Sequence, residues 1–323
     1  MKDFSIGKVA WFTEGGWHGK VPRNHPMMRN DMAWMCVFDA THYPIWNVHE
    51  VQEKYDIGIV TLPKTNIDKL SQYPLIENLR KCCKKIAYQQ EGPSWYFQDY
   101  PLEHQIWFFN TLAEMDWLYV HNKSDKKYFE GLTGKECRLM ITLMIEDLIK
   151  NLPVIERSNV MIGGNFCHWY GGFDSYMVAQ EFDCPIYAPS MGRKIANEEQ
   201  MDNLTHLPYM NWHEWIQELN KFKFGVHMMR THAAGTFALN CGYLGIPCIG
   251  FKGLDTQDIC HPDLSVNMGD IVKAKELANK LKTDDDFYNH CSETAIKQFK
   301  EYFNEDYFCN TIKEQFRVSK TSV

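Results

Sequence analysis

The chain is expected to be an α/β protein built from two doubly wound, Rossmann-like domains facing across a cleft. Three observations predict this. Short, nearly continuous apolar runs alternate with runs of helical length from Lys8 to Phe316, as parallel strands and their crossover helices do. Each half opens on a strand followed by paired glycines, Gly15-Gly16 and Gly163-Gly164. A length of 323 residues also exceeds what one hydrophobic core usually serves.

The elements follow in order. Lys8–Thr13 reads as a strand leading into the loop Glu14-Gly15-Gly16-Trp17-His18. Asn30–Phe38 reads as helix, Tyr43–Trp46 as strand, Val48–Lys54 as a short helix and Asp56–Pro63 as a strand buried on both faces. Asn66–Cys83 is a helix broken near Pro74 that ends among Arg80, Lys81, Lys84 and Lys85, where cations suit a helix C-terminus. Ile86–Gln89 is the next strand, and Glu91 follows at its C-terminal mouth, where open α/β sheets place their chemistry. Ile106–Met115 (helix), Trp117–His121 (strand), Ser124–Leu132 (helix) and Arg138–Met144 (strand) complete this half.

Pro153 marks the boundary, giving an N-terminal domain over 1–152, a second over 153–300 and a C-terminal helix over 301–323 that returns towards the first. The second series runs through strands Asn159–Ile162, Pro185–Pro189 and His206–Met210, with helices Ser175–Glu181 and Trp212–Leu219. Its informative stretch is Lys223–Pro262. Strand Phe224–Met229 is followed by the turn Arg230–Thr236, helix Phe237–Leu244, the corner Gly245-Ile246-Pro247 and strand Cys248–Phe251. An acidic and amide loop, Asp255 to Asp258, closes it. A small-residue turn leaves helix N–H groups open, and Arg230 and His232 beside it make a place to hold phosphates. The loop carboxylates and amide would then grip sugar hydroxyls.

Composition excludes several classes. With 45% apolar and 23% charged residues the chain is ordinary for a globular protein. No apolar run approaches the roughly 18–20 residues that cross a bilayer, and the start of the chain lacks a signal-peptide layout. We therefore expect no membrane span and a cytoplasmic protein, in the host cytoplasm if viral. Eleven scattered cysteines show no C-x-x-C and no zinc spacing, which suggests reduced thiols and no metal. A net charge of −7 gives no broad basic footprint for nucleic acid. Neither glycine pair is a dinucleotide or P-loop fingerprint, and the G-x-S-x-G and H-E-x-x-H motifs are absent.

The run His232…Gly235-Thr236…Asn240…Gly245-Ile246-Pro247…Asp255-Thr256-Gln257, between two Rossmann-like halves, resembles nucleotide-sugar glycosyltransferases of the GT-B architecture. Members with an H-x-G-x-N-S-x-x-E box place a ribose-binding glutamate where this chain has Asn240, an amide that bonds hydroxyls without charge. A narrower likeness is to the DNA glucosyltransferases of T-even phages. Tyr88-Gln89-Gln90-Glu91 looks like the strand end bearing the catalytic aspartate of the inverting member, and Gly163-Gly164-Asn165-Phe166 looks like its G-G-S-F turn. The tail Phe299–Phe316 resembles the end of the retaining member.

The resemblance implies transfer of a sugar from a nucleotide diphosphate, a UDP-sugar as co-substrate, to a hydroxyl acceptor. Hydroxymethylated pyrimidine in duplex DNA is one candidate acceptor, and no tightly bound cofactor is implied. Gly163, Gly164, Asn165, Arg230, His232, Gly235 and Thr236 would surround the diphosphate, Asn240 the ribose, and Asp255 with Gln257 the sugar. Glu91 is the favoured general base, with Glu14, His18 and Asp99 as alternatives. A DNA acceptor would need Lys81, Lys84, Lys85, Lys123, Lys126 and Lys127 gathered on one face. The rival readings are a sugar-nucleotide epimerase of the same fold and a non-catalytic nucleotide-sugar binder.

Overall fold

The structure, a computed structural model, describes residues 6–14, 17–164, 166, 169–190 and 201–318. It divides into two compact units. One comprises Met1–His25, Arg29–Leu143 and Glu305–Val323; the other comprises Pro26–Met28 and Met144–Asn304.

The first unit is a seven-stranded sheet: β1 (Val9–Thr13), β2 (Gly19–Lys20), β3 (Thr41–Pro44), β4 (Tyr55–Thr61), β5 (Cys83–Gln89), β6 (Trp117–Val120) and β7 (Cys137–Leu139). The spatial order is β2-β3-β1-β4-β5-β6-β7, and every pairing is parallel except that of β2 with β3. Parallel strands covered by helices on both faces must be apolar throughout, and Val9, Ala10, Trp11 and Phe12 of β1 are all buried. Trp11 stacks on Trp34 of the helix Asn30–Val37 at 6.3 Å. The C-terminal helix Glu305–Val318 belongs to this unit. Glu305 takes two hydrogen bonds from Arg23, Phe308 meets Phe38 edge-on at 5.9 Å, and Gln315 donates to the Leu139 carbonyl.

The second unit is a six-stranded parallel sheet in the order β10-β9-β8-β11-β12-β13. Its strands are β8 (Ser158–Ile162), β9 (Ile186–Pro189), β10 (Leu204–Leu207), β11 (Phe222–His227), β12 (Cys248–Phe251) and β13 (Ser265–Val266). Local sequence sets the helix starts. Asn211 and Glu214 form a capping box on Trp212–Leu219, and the side chains of Asp270 and Asp284 cap the helices Ile271–Thr283 and Asp285–Tyr302.

Two expectations about charged residues change, besides shifts in strand ends: Ile45–Glu50 is helical, β7 is Cys137–Leu139 and β10 is Leu204–Leu207. Asp255–Asp258 is not a loop but the first turn of a helix, Asp255–Cys260. The Leu254 carbonyl accepts the N–H groups of Gln257 and Asp258, and Asp258 Oδ2 accepts from Gly253 N. Carboxylates in a first turn are stabilised by the helix dipole, so acidity here marks a helix start. Lys84 and Lys85 lie on β5 rather than at a helix end, pairing with Asp56 (2.7 Å) and Asp116 (3.0 Å).

In each sheet the chain leaves two neighbouring strands in opposite directions, β1 and β4 in the first and β8 and β11 in the second. Such switch points open a crevice at the strand C-termini. In the second unit Gly171 has φ +63° and faces the Met228 carbonyl oxygen so closely that a Cβ would overlap it. Gly171→Ala is expected to destabilise the protein by about 2–3 kcal/mol. Gly131→Ala, in an open helix position with nothing within 4 Å of the added carbon, should stabilise it by about 0.5–1 kcal/mol. Urea unfolding of the two variants checks both signs.

Candidate functional site

At the mouth of the first sheet, Glu91 follows β5 on a turn fixed by the buried Gln90. The Gln90 amide donates to Asp125 (3.1 Å) and to the Gly92 carbonyl (2.9 Å), and its oxygen accepts from His121 N. Glu91 keeps 46% of its side chain exposed, and Lys64 Nζ stands 3.5 Å away. The Lys64 ammonium also lies over the Tyr96 ring at 5.2 Å. Surrounding protein raises the Glu91 carboxyl above the usual glutamate range; Lys64 opposes this, and the charges of Asp31 and Glu14 add to it. Glu14, directly after β1, accepts a hydrogen bond from the Thr65 hydroxyl in the loop after β4, bridging the switch point. Glu91, Glu14 and Lys64 therefore share one electrostatic neighbourhood. His18 sits just before β2, edge-on to Tyr43 at 5.7 Å. Asp99 ends the short helical turn Tyr96–Asp99.

Sequence reasoning missed Lys64. It follows β4 in Leu62-Pro63-Lys64-Thr65, so the rule that selected Glu91, a polar residue at the C-terminal mouth of a strand, would have selected it too.

The six lysines fall in two places, β5 with the helix before it and the helix after β6. Lys81, Lys84 and Lys85 cluster around the N-terminal start of β5, paired with Glu77, Asp56 and Asp116. Lys123, Lys126 and Lys127 lie on the helix that starts beyond the C-terminal end of β6, where Lys126 pairs with Glu130. Lys126 also donates to the carbonyl of Cys137, the first residue of β7.

At the mouth of the second sheet two turns are clasped together. Ser175 Oγ accepts from Met228 N (2.9 Å) and donates to the Gly171 carbonyl (2.8 Å), and Thr231 Oγ1 donates to the Trp169 carbonyl (2.9 Å). Gly163 donates its N–H to the Val226 carbonyl, and a Cβ on it would lie 2.6 Å from the His227 ring. Gly164, with φ +74°, packs against Tyr170; Asn165 lies outside the described residues. Arg230 Nε and Nη2 both donate to Asp174 Oδ2, at 2.9 and 2.6 Å, leaving the Arg230 side chain 53% exposed. The guanidinium is thus aimed by a carboxylate without being covered.

Gly235, with φ +67°, begins the helix Thr236–Leu244, whose first N–H groups have no side-chain cap among the described residues. Its carbonyl accepts from Thr256 Oγ1 at 2.9 Å, and His232 leans over Gly253. His232, Gly235, Thr236 and Asp255 thus gather around one loop. Asn240 and Gln257, each only 2% exposed, turn inward. Gln257 Nε2 donates to the Cys248 carbonyl at 2.9 Å, tying its helix to β12.

Among the described residues no group of three or more His, Cys, Asp or Glu is arranged to hold a metal ion, and no helix is long and apolar enough to cross a membrane. The ten described cysteines are free thiols.

No protein-family model matches the chain, and no curated protein matches it in sequence. Solved structures do. The chain is similar to HepE of Anabaena, a crystal structure in complex with UDP and glucose, at 10% identity and TM-score 0.68, covering 97% of this chain and 100% of that one. It is similar to an α-glucosyltransferase in complex with UDP-glucose and DNA containing an abasic site, at 13% identity and TM-score 0.66, covering 97% and 99%. Sucrose-phosphate synthase of Thermosynechococcus elongatus matches at 13% identity and TM-score 0.59, covering 83% and 75%. These matches show the fold: two Rossmann-like α/β domains of the GT-B architecture, as the sequence led us to expect.

The Lys64 contact makes a pH prediction. Removing the cation as Lys64→Met should move the Glu91 titration further up in pH, because the interaction that favours the ionised form is lost. Carboxyl carbon NMR of Glu91 in the two proteins checks the direction.

Proposed function

We propose that the protein transfers a sugar from a nucleoside diphosphate sugar, a UDP-sugar first among them, to a hydroxyl acceptor. The observation that carries this reading is the clasped pair of turns at the switch point of the second unit. Glycine turns, an uncapped helix start and an exposed guanidinium oriented by Asp174 meet there. Such a place suits a diphosphate, since backbone N–H groups and an arginine fork complement phosphate oxygens. Support from outside comes from the fold, shared along nearly the whole chain with proteins solved with UDP or UDP-glucose.

In this reading Gly163, Gly164, Arg230, Gly235 and Thr236 hold the diphosphate, with His232 and Asp255 beside it. Asn240 and Gln257 serve as buried supports. Glu91 takes the proton of the acceptor hydroxyl, whose oxygen forms the bond to the anomeric carbon while the bond from that carbon to the diphosphate breaks. The leaving diphosphate gains negative charge, and preorganised donors and Arg230 stabilise that charge most in the transition state. The raised pKa of Glu91 makes it a stronger base than a solvated glutamate. Glu14 is the alternative base.

A DNA acceptor is the second reading, favoured by the likeness to the α-glucosyltransferase solved with DNA. The ion pairs that engage four of the six lysines weigh against it.

Thermal-shift measurement against nucleoside diphosphates and their sugars tests the donor site. A ligand at about 100 times its dissociation constant should add roughly 2.7 kcal/mol of stability. UDP is expected to stabilise the wild type, and Arg230→Ala should weaken that binding about tenfold. Glu91→Gln should bind UDP normally while losing transfer about 10²–10⁴-fold. A panel with no stabilising nucleotide would remove the donor site. Consumption of donor without any acceptor, giving an isomerised sugar, would favour an epimerase. Hydroxymethylated DNA belongs among the first acceptors tried.

A further inference from the structure

His227 is the last residue of β11, at the switch point of the second unit, and only 6% of it is exposed. Neither of its ring nitrogens has a hydrogen-bond partner among the described residues. A neutral imidazole carries one donor and one acceptor, and buried polar groups are almost always paired. Burial alone pushes its pKa down to about 4, so the ring is neutral at ordinary pH.

Its surroundings are specific. The ring lies against the α-carbon of Gly163, where a side chain would come within 2.6 Å of it, and meets Phe237 edge-on at 5.2 Å. Phe237 is in the first turn of the uncapped helix Thr236–Leu244. His227 is therefore in contact with both the glycine turn after β8 and the open helix start after β11. The register partner of His227 on β12 is Gly250, and the Gln257 carboxamide occupies the space its side chain would fill. Gln257 Oε1 also lacks a partner among the described residues. Packing alone does not account for a histidine here, because phenylalanine would fill a similar volume without stranding two polar atoms.

We propose that His227 is a donor-binding residue whose neutral imidazole donates a hydrogen bond to a diphosphate oxygen of the bound nucleotide. This rests on the donor site proposed above and adds to it a group that reads the anion without bringing a charge that must be desolvated. The uncapped N–H groups and Arg230 supply positive potential; His227 supplies a directed donor from the floor of the crevice. Its unpaired state without ligand is then a strain kept for binding, of the kind found at functional sites.

The test uses UDP on the intact chain, with calorimetric affinity, melting temperature and ¹⁵N-histidine NMR. His227→Phe is expected to melt at or above the wild-type temperature without ligand, since it removes two stranded atoms, and to bind UDP at least tenfold more weakly. In the wild type, saturation with UDP should shift the His227 ring nitrogens and slow exchange of its N–H. A purely structural histidine would give the opposite pattern: a lower melting temperature and unchanged affinity. Affinity within twofold of wild type in His227→Phe overturns the inference and leaves the donor site standing. If that variant does not fold, unchanged ring-nitrogen shifts in the UDP-saturated wild type overturn it equally. Failure of the wild type to bind UDP overturns the UDP site and this inference together.

Discussion

The second unit depends on a contact that has no side chain in it. Gly171 and the Met228 carbonyl approach so closely that only hydrogen fits between them, and Ser175 bonds to both turns. This clasp brings the turn after β8 beside the turn after β11. Asp174, three residues beyond Gly171, is then placed to receive Arg230, and Gly163 is placed against His227. Adding a methyl group at Gly171 would push the Met228 carbonyl away from it. The site is consequently made mostly of backbone dipoles, which need no counter-charge to be buried.

The first unit solves the same geometric problem with different chemistry. Its switch point is bridged by the Thr65 to Glu14 hydrogen bond, and Lys64 stands beside Glu91 at the mouth of the sheet. Glu91 experiences opposing influences, burial and two neighbouring acids raising its pKa while Lys64 lowers it. That balance keeps a carboxylate basic without leaving it unpaired. Gln90 fixes the turn through three hydrogen bonds, so the position of Glu91 is set by buried polar contacts rather than by packing of its own side chain.

Much of the fold was legible because parallel strands and crossover helices impose patterns on sequence. The helix Trp212–Leu219 and the strand Cys248–Phe251 fall where their residues indicate. Two failures came where charge was read without its partner. Asp255–Asp258 looked like a loop because its acids face a helix dipole that only the fold creates. Lys84 and Lys85 looked like a helix end because Asp56 and Asp116, which hold them on β5, are distant in sequence. At the site, strand ends and glycine turns could be located, whereas side-chain direction could not. Gln257 lies in the right stretch but bonds inward to Cys248 O. His227 is a strand residue whose importance appears only once both of its ring nitrogens are found without partners.

The departure at Asn240 has a physical reading in the same terms. The box that this stretch resembles has a glutamate where this chain has Asn240, an amide that is 2% exposed. A carboxylate at that depth would have to be desolvated or neutralised, a penalty that an amide largely avoids. In this chain Asn240 lies on the helix Thr236–Leu244, which leads through the corner Gly245-Ile246-Pro247 into β12. Backbone approaches at strand ends constrain the architecture tightly, and the polar groups placed there can differ as long as each is satisfied by the fold or by what the fold binds.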